Sequence, residues 1–98
     1  MQHCAVLSGR ARQSPPSGQR IAFQVRSLFK DFDAKISIGG TPVWSHSFAS
    51  HVDDAAVGTV TASSAGSVEL ELSSGWSFGA LSTKACLWRV EAMQTSCS

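Results

Sequence analysis

The sequence predicts an all-β fold: a small antiparallel β-sandwich or barrel of six to seven strands built from hairpins. Three observations carry that expectation. Apolar and polar residues alternate at a period of two in several short runs, most clearly where Val68, Leu70 and Leu72 flank Glu69 and Glu71. That is the period of a strand with one buried and one solvated face. Turn residues also recur at intervals of roughly ten residues, as in sandwiches and barrels. No stretch shows the apolar repeat of an amphipathic helix.

Ninety-eight residues suit one domain, since domains cluster near 100–150 residues. The expected organisation is a flexible extension or edge strand over 1–18, a single β domain over 19–93 and a polar tail over 94–98. In the first segment Ser14-Pro15-Pro16-Ser17-Gly18 blocks both helix and central strand. His3–Leu7 supplies at most an edge strand.

Arg20–Phe29 is the first strand, with Ile21, Phe23 and Val25 on one face and Arg20, Gln24 and Arg26 on the other. Lys30–Asp33 reads as a turn. Ala34, Ile36 and Ile38 then form the next apolar stripe. Gly39-Gly40 sits between two extended runs, as expected of a two-residue hairpin turn that needs positive φ. Thr41–Phe48 returns with Trp44, His46 and Phe48 on one face. Pro42 cannot donate to a ladder, so this strand lies at a sheet edge or begins at Val43.

Ala49–Ala56 reads as a polar, irregular connection, and Val57–Ala62 as a strand. From Ser67 to Met93 three successive stripes predict a core meander: Val68, Leu70 and Leu72; Trp76, Phe78 and Ala80; Cys86, Trp88 and Val90.

Composition narrows the function classes. A net charge of +1 disfavours nucleic-acid binding driven by bulk charge. The charges are nevertheless uneven, because residues 1–35 hold six basic and two acidic side chains and the remainder the reverse tendency. Arg10, Arg12, Arg20 and Arg26 are the residues a phosphate-binding surface would use, a reading ranked last. No apolar run approaches the roughly 18 residues of a membrane span. Cys4, Cys86 and Cys97 are an odd count without a C-x-x-C pair. That excludes a zinc ribbon and gives no disulfide framework, so a reducing cytoplasm is expected and Cys86 reads as a core thiol.

The reactive side chains gather at His46, His51, Asp53 and Asp54. Imidazole with carboxylate serves as base and orienter, or as metal ligands. The offset of five between the histidines, however, is not a ligand spacing on a strand, so no metal and no cofactor are assigned. No serine has a nucleophile-elbow context and no glycine-rich turn opens a helix. The sequence therefore favours a non-enzymatic binding module that self-associates through a sheet face or edge. A homo-oligomer is expected, and a protein partner or small molecule is a further candidate occupant.

The residues assigned to ligand or partner binding are Trp44, His46, Phe48, His51 and Asp53, with Leu87 as an added apolar contact. The alternative is a small-ligand pocket or a small enzyme at His46, His51 and Asp53.

Overall fold

The computed structural model describes residues 2–4, 9–29, 31–62, 66–73 and 83–90. They contain eight strands: β1 (Gln2–Cys4), β2 (Arg10–Gln13), β3 (Arg20–Leu28), β4 (Phe32–Ile38), β5 (Thr41–Phe48), β6 (Asp53–Thr61), β7 (Val68–Leu72) and β8 (Thr83–Arg89). These make two four-stranded antiparallel sheets, ordered β1-β8-β3-β6 and β2-β7-β4-β5. The all-β expectation holds. Among the described residues no helix is long and apolar enough to cross a membrane.

One core lies between the sheets. Ile21, Phe23 and Val25 of β3, with Ala85 and Leu87 of β8, face Phe32, Ala34 and Ile36 of β4 and Val68 and Leu70 of β7. The alternation of β3, β4 and β7 is the cause, because each strand presents every second side chain to the partner sheet. Fully burying an aliphatic or phenyl side chain contributes about 1.5–3 kcal/mol, so these stripes hold the sheets together.

The β4–β5 hairpin turns at Gly39 and Gly40, with φ of 57° and 86°. Ile38 and Thr41 pair directly across that turn. Just beyond it the register shifts: Ser37 faces Pro42, and Ile36 faces Trp44. Val43 is therefore an extra residue on β5, and it is 49% exposed. A bulge of one residue reverses which face the following side chains occupy. Here it turns Trp44, His46 and Phe48 toward the other sheet.

The structure adds to the sequence-based expectations in some places and departs from them in others. Within residues 1–18, β1 and β2 lie at sheet edges, and β2 pairs with β7 and buries Ala11 and Gln13. The Pro-Pro stretch is then a turn within the fold, where Gly18 N–H donates to the Ala62 carbonyl at 2.6 Å. β7 and β8 lie in different sheets, so they are not neighbours in a meander. The stripe at Trp76, Phe78 and Ala80, and the tail 94–98, lie outside the described residues.

The phase of β8 is also reversed. Ala85 and Leu87 face the core, while Cys86 and Trp88 stand opposite Gln24 and Ala22 on the other face. Leu87 is fully buried and is therefore no surface contact. Finally, Cys86 is not a free thiol but half of a disulfide. Its other half lies outside the described side chains; the backbone register sets Cys4 opposite Cys86. Proximity of that kind comes from pairing first strand with last, which spacing along the chain does not display.

Close packing at Gly58 gives a direct test of the core. A Cβ placed there would stand 3.0 Å from Cζ of Phe23, a ring that is almost fully buried. Gly58→Val should cost about 1–3 kcal/mol through overpacking. Thermal unfolding should show it as a fall of roughly 4–8 °C per kcal/mol. The disulfide gives a second test. Of three cysteines, only one thiol should react with Ellman's reagent in denatured, unreduced protein.

Candidate functional site

Of the side chains singled out in the sequence, Trp44, His46 and Phe48 come together where the last strands of the two sheets lie over one another. β6 is the edge of the first sheet, β5 the edge of the second, and residues 49–52 join them. Because alternate side chains point inward, β5 contributes Trp44, His46 and Phe48, and β6 contributes Asp54, Ala56, Gly58 and Val60.

An aromatic row runs along this seam. Phe23 and Trp44 meet across the sheets with ring centroids 4.6 Å apart. Trp44 and His46 lie nearly parallel at 6.3 Å, His46 meets Phe48 edge-on at 4.5 Å, and Phe48 stacks on Phe32 at 4.8 Å. Contacts of these kinds add about 0.5–1.5 kcal/mol each beyond the area they bury. Phe48 is 3% exposed, so it is a core residue and offers no contact surface. Trp44 and His46 are half-buried at the rim.

His46 Nε2 lies 2.9 Å from Asp54 Oδ2, a bridge between the two sheets. Asp54 Oδ1 accepts the Ala55 backbone N–H at 2.9 Å. The hydrogen bond to His46 is the main reason the Asp54 carboxyl is held below the usual carboxylate range; partial desolvation opposes it, and the Ala55 N–H and the His46 charge reinforce it.

His51 and Asp53 do not join this pair. Asp53 precedes Asp54 on a strand and so points to the outer face, where it meets Arg26 at 3.3 Å. The expected irregular connection over 49–56 is shorter than anticipated, because β6 already begins at Asp53. His51 occupies the tight turn ahead of β6 with φ of 66°, is exposed, and donates its backbone N–H to the Phe29 carbonyl. Among the described residues no group of three or more His, Cys, Asp or Glu side chains could hold a metal ion.

The basic residues are drawn into pairs by register. Arg10 stands opposite Glu71 and Arg12 opposite Glu69, with nitrogen–oxygen distances of 3.0 and 2.9 Å. Lys35, also opposite Glu71, is 3.7 Å from it. The unequal charges of the two halves thus neutralise one another across β2, β7 and β4. Exposed pairs of this kind contribute about 0–1 kcal/mol each, so their main effect is to cancel a basic patch. An open cleft of about 210 Å³ lies at the end of this network, lined by Asp33, Lys35, Glu71, Leu72 and Ser73.

The feature that residue-type searching did not find is the backbone of β6. Ala62 N–H donates to the Gln19 carbonyl and Phe29 N–H to the Val52 carbonyl. In an antiparallel ladder hydrogen-bonded and non-hydrogen-bonded pairs alternate. With Phe23 opposite Gly58, the even-numbered residues of β6 therefore bond β3, and the odd-numbered ones aim N–H and C=O away from the sheet. Ala55 N–H is capped by Asp54. The N–H groups of Val57, Thr59 and Thr61 have no partner among the described residues. Beside them Val57 is 70% exposed. The alternation of small, β-branched and apolar residues over 55–61 was the available signal.

Comparison with family models, curated proteins and solved structures found no match to the chain.

The His46–Asp54 bridge has a definite pH signature. A carboxyl whose pKa is lowered by folding stabilises the fold above its unfolded value, near 3.9, and that stabilisation disappears as pH falls through the folded value. Asp54→Asn should therefore melt below wild type at neutral pH. The difference should close as both are acidified below pH ~4; a difference independent of pH would contradict the bridge.

Proposed function

We propose that this chain is a non-enzymatic interaction module that self-associates through the open β6 edge. The observation that supports it is the run of outward-directed backbone groups from Val57 to Thr61, uncharged and flanked by the exposed Val57. Such an edge is a template for adding another strand, and proteins that do not use one protect it with charge, proline or a bulge. A heterologous protein strand is the alternative occupant of the same edge.

The pocket or enzyme reading at His46, His51 and Asp53 has less support. These side chains diverge to an inner face, a turn and an outer face, and His46 is already bonded to Asp54. Nucleic-acid binding through Arg10, Arg12, Arg20 and Arg26 has less support, because Arg10, Arg12 and Arg26 are paired with carboxylates. The Cys86 disulfide favours an oxidising compartment over the reducing cytoplasm that the cysteine spacing suggests.

Val57→Pro tests the proposal, because the Val57 N–H points away from β3 and proline removes only that outward donor. In a sedimentation velocity concentration series the wild type should self-associate. Val57→Pro should remain monomeric with an unchanged far-ultraviolet circular dichroism spectrum. A wild type that is monomeric throughout, or a Val57→Pro variant that associates as tightly, contradicts the proposal.

A further inference from the structure

Resting on that reading, the geometry points to the occupant of the edge and its register: β6 of a second copy, antiparallel, with the two-fold axis passing through Val57. Three independent features select this arrangement.

The first is protection of the alternatives. Of the four sheet edges, β1 is three residues long and β2 is four residues long with Arg10 and Arg12 along it. β5 carries Pro42 and the bulge at Val43. Short, charged, proline-bearing and bulged edges resist strand addition. β6 spans nine residues and carries none of these devices beyond Asp53 and Asp54 at its first turn of chain.

The second is hydrogen-bond parity. An axis through Val57 sets Val57 opposite Val57, Ala55 opposite Thr59 and Asp53 opposite Thr61. All of these are outward-directed residues, so each pair is a hydrogen-bonded one. The N–H groups of Val57, Thr59 and Thr61, without a partner among the described residues, meet the carbonyls of Val57, Ala55 and Asp53 on the second copy. Ala55 N–H, held by Asp54 within one chain, faces the Thr59 carbonyl of the second copy. An axis between two residues would set outward groups against groups already bonded to β3. An axis on Ala56 or Gly58 keeps the parity but parts the two Val57 side chains and moves Asp53 of the second copy away from Thr61.

Charge is the third. The antiparallel arrangement carries the acidic ends of the two β6 strands apart. On the outer face Arg20 stands opposite Thr61 of its own chain. It makes no ion pair among the described residues, and Asp53 of the second copy would lie just beyond Thr61. Two strand spacings, about 10 Å, separate their backbones, within reach of an arginine. The exposed Val57 side chains of the two copies meet on the axis.

Charge exchange at position 57 tests the register, since only on a two-fold axis does a residue face itself. Val57→Lys and Val57→Glu should each lose dimer at concentrations where wild type is dimeric, because like charges directly opposite are destabilising. An equimolar mixture should recover it as a heterodimer, read by native mass spectrometry from the mass difference. At a dilution where wild type is also monomeric, melting curves of both variants should match wild type, as Val57 is 70% exposed and outside the core. Single variants that still dimerise, or a mixture that does not recover, overturn the two-fold register while the Val57→Pro result still decides whether the edge is used. A wild type without dimer overturns both.

Discussion

The nine-residue ladder between β3 and β6, from Arg20 opposite Thr61 to Leu28 opposite Asp53, is the constraint on which the rest depends. A ladder fixes two parities at once: which side chains face the other sheet, and which backbone groups it consumes. On the first count it sends Phe23 and Val25 into the core and brings Asp54 beneath β5. On the second it spends the amides of Ala56, Gly58 and Val60 and leaves those of Val57 and Thr59 facing outward. The seam chemistry and the edge are therefore two consequences of one pairing. Gly58 shows how closely they are coupled, because the Phe23 ring that touches Trp44 also takes the space a Cβ at position 58 would need.

The seam itself is better understood as a closure than as a reaction centre. The bulge at Val43 turns a tryptophan, a histidine and a phenylalanine inward, and the aromatic row fills the space between the last two strands. Asp54 does two things there. It ties β6 to β5 through His46, and it caps the one outward amide nearest the strand start. Both roles are structural: each of its oxygens already accepts a hydrogen bond from within the chain. Among the described residues, the outward backbone groups of β6 are what is left without a partner, which is why the edge carries the functional reading.

Much of this arrangement was legible from the chain. The stripes of β3, β4 and β7, the Gly39-Gly40 turn and the edge position signalled by Pro42 all follow from local alternation and turn chemistry. β8 was misread because Ala85, Cys86, Leu87 and Trp88 are all apolar, and alternation has no contrast to report when both faces are covered. β2 was hidden by the prolines that follow it. The ion pairs of Arg10 and Arg12, the Cys86 disulfide and the separation of β7 from β8 depend on pairing between distant segments, which no local pattern encodes. At the site, the histidine–carboxylate meeting was foreseeable but its partner was not: of two adjacent aspartates, the start of β6 decides which one turns inward.

Amide hydrogen exchange, followed by NMR at low and high protein concentration, tests the central claim most directly. The amides of Gly58 and Val60, bonded to β3, should be protected at both concentrations. Those of Val57, Thr59 and Thr61 should exchange rapidly in dilute protein and become protected as the concentration rises. Equal protection of all five at every concentration would mean that β6 is already paired on both sides. Persistent rapid exchange of the odd-numbered amides would mean that the edge stays open, and either result would contradict the account.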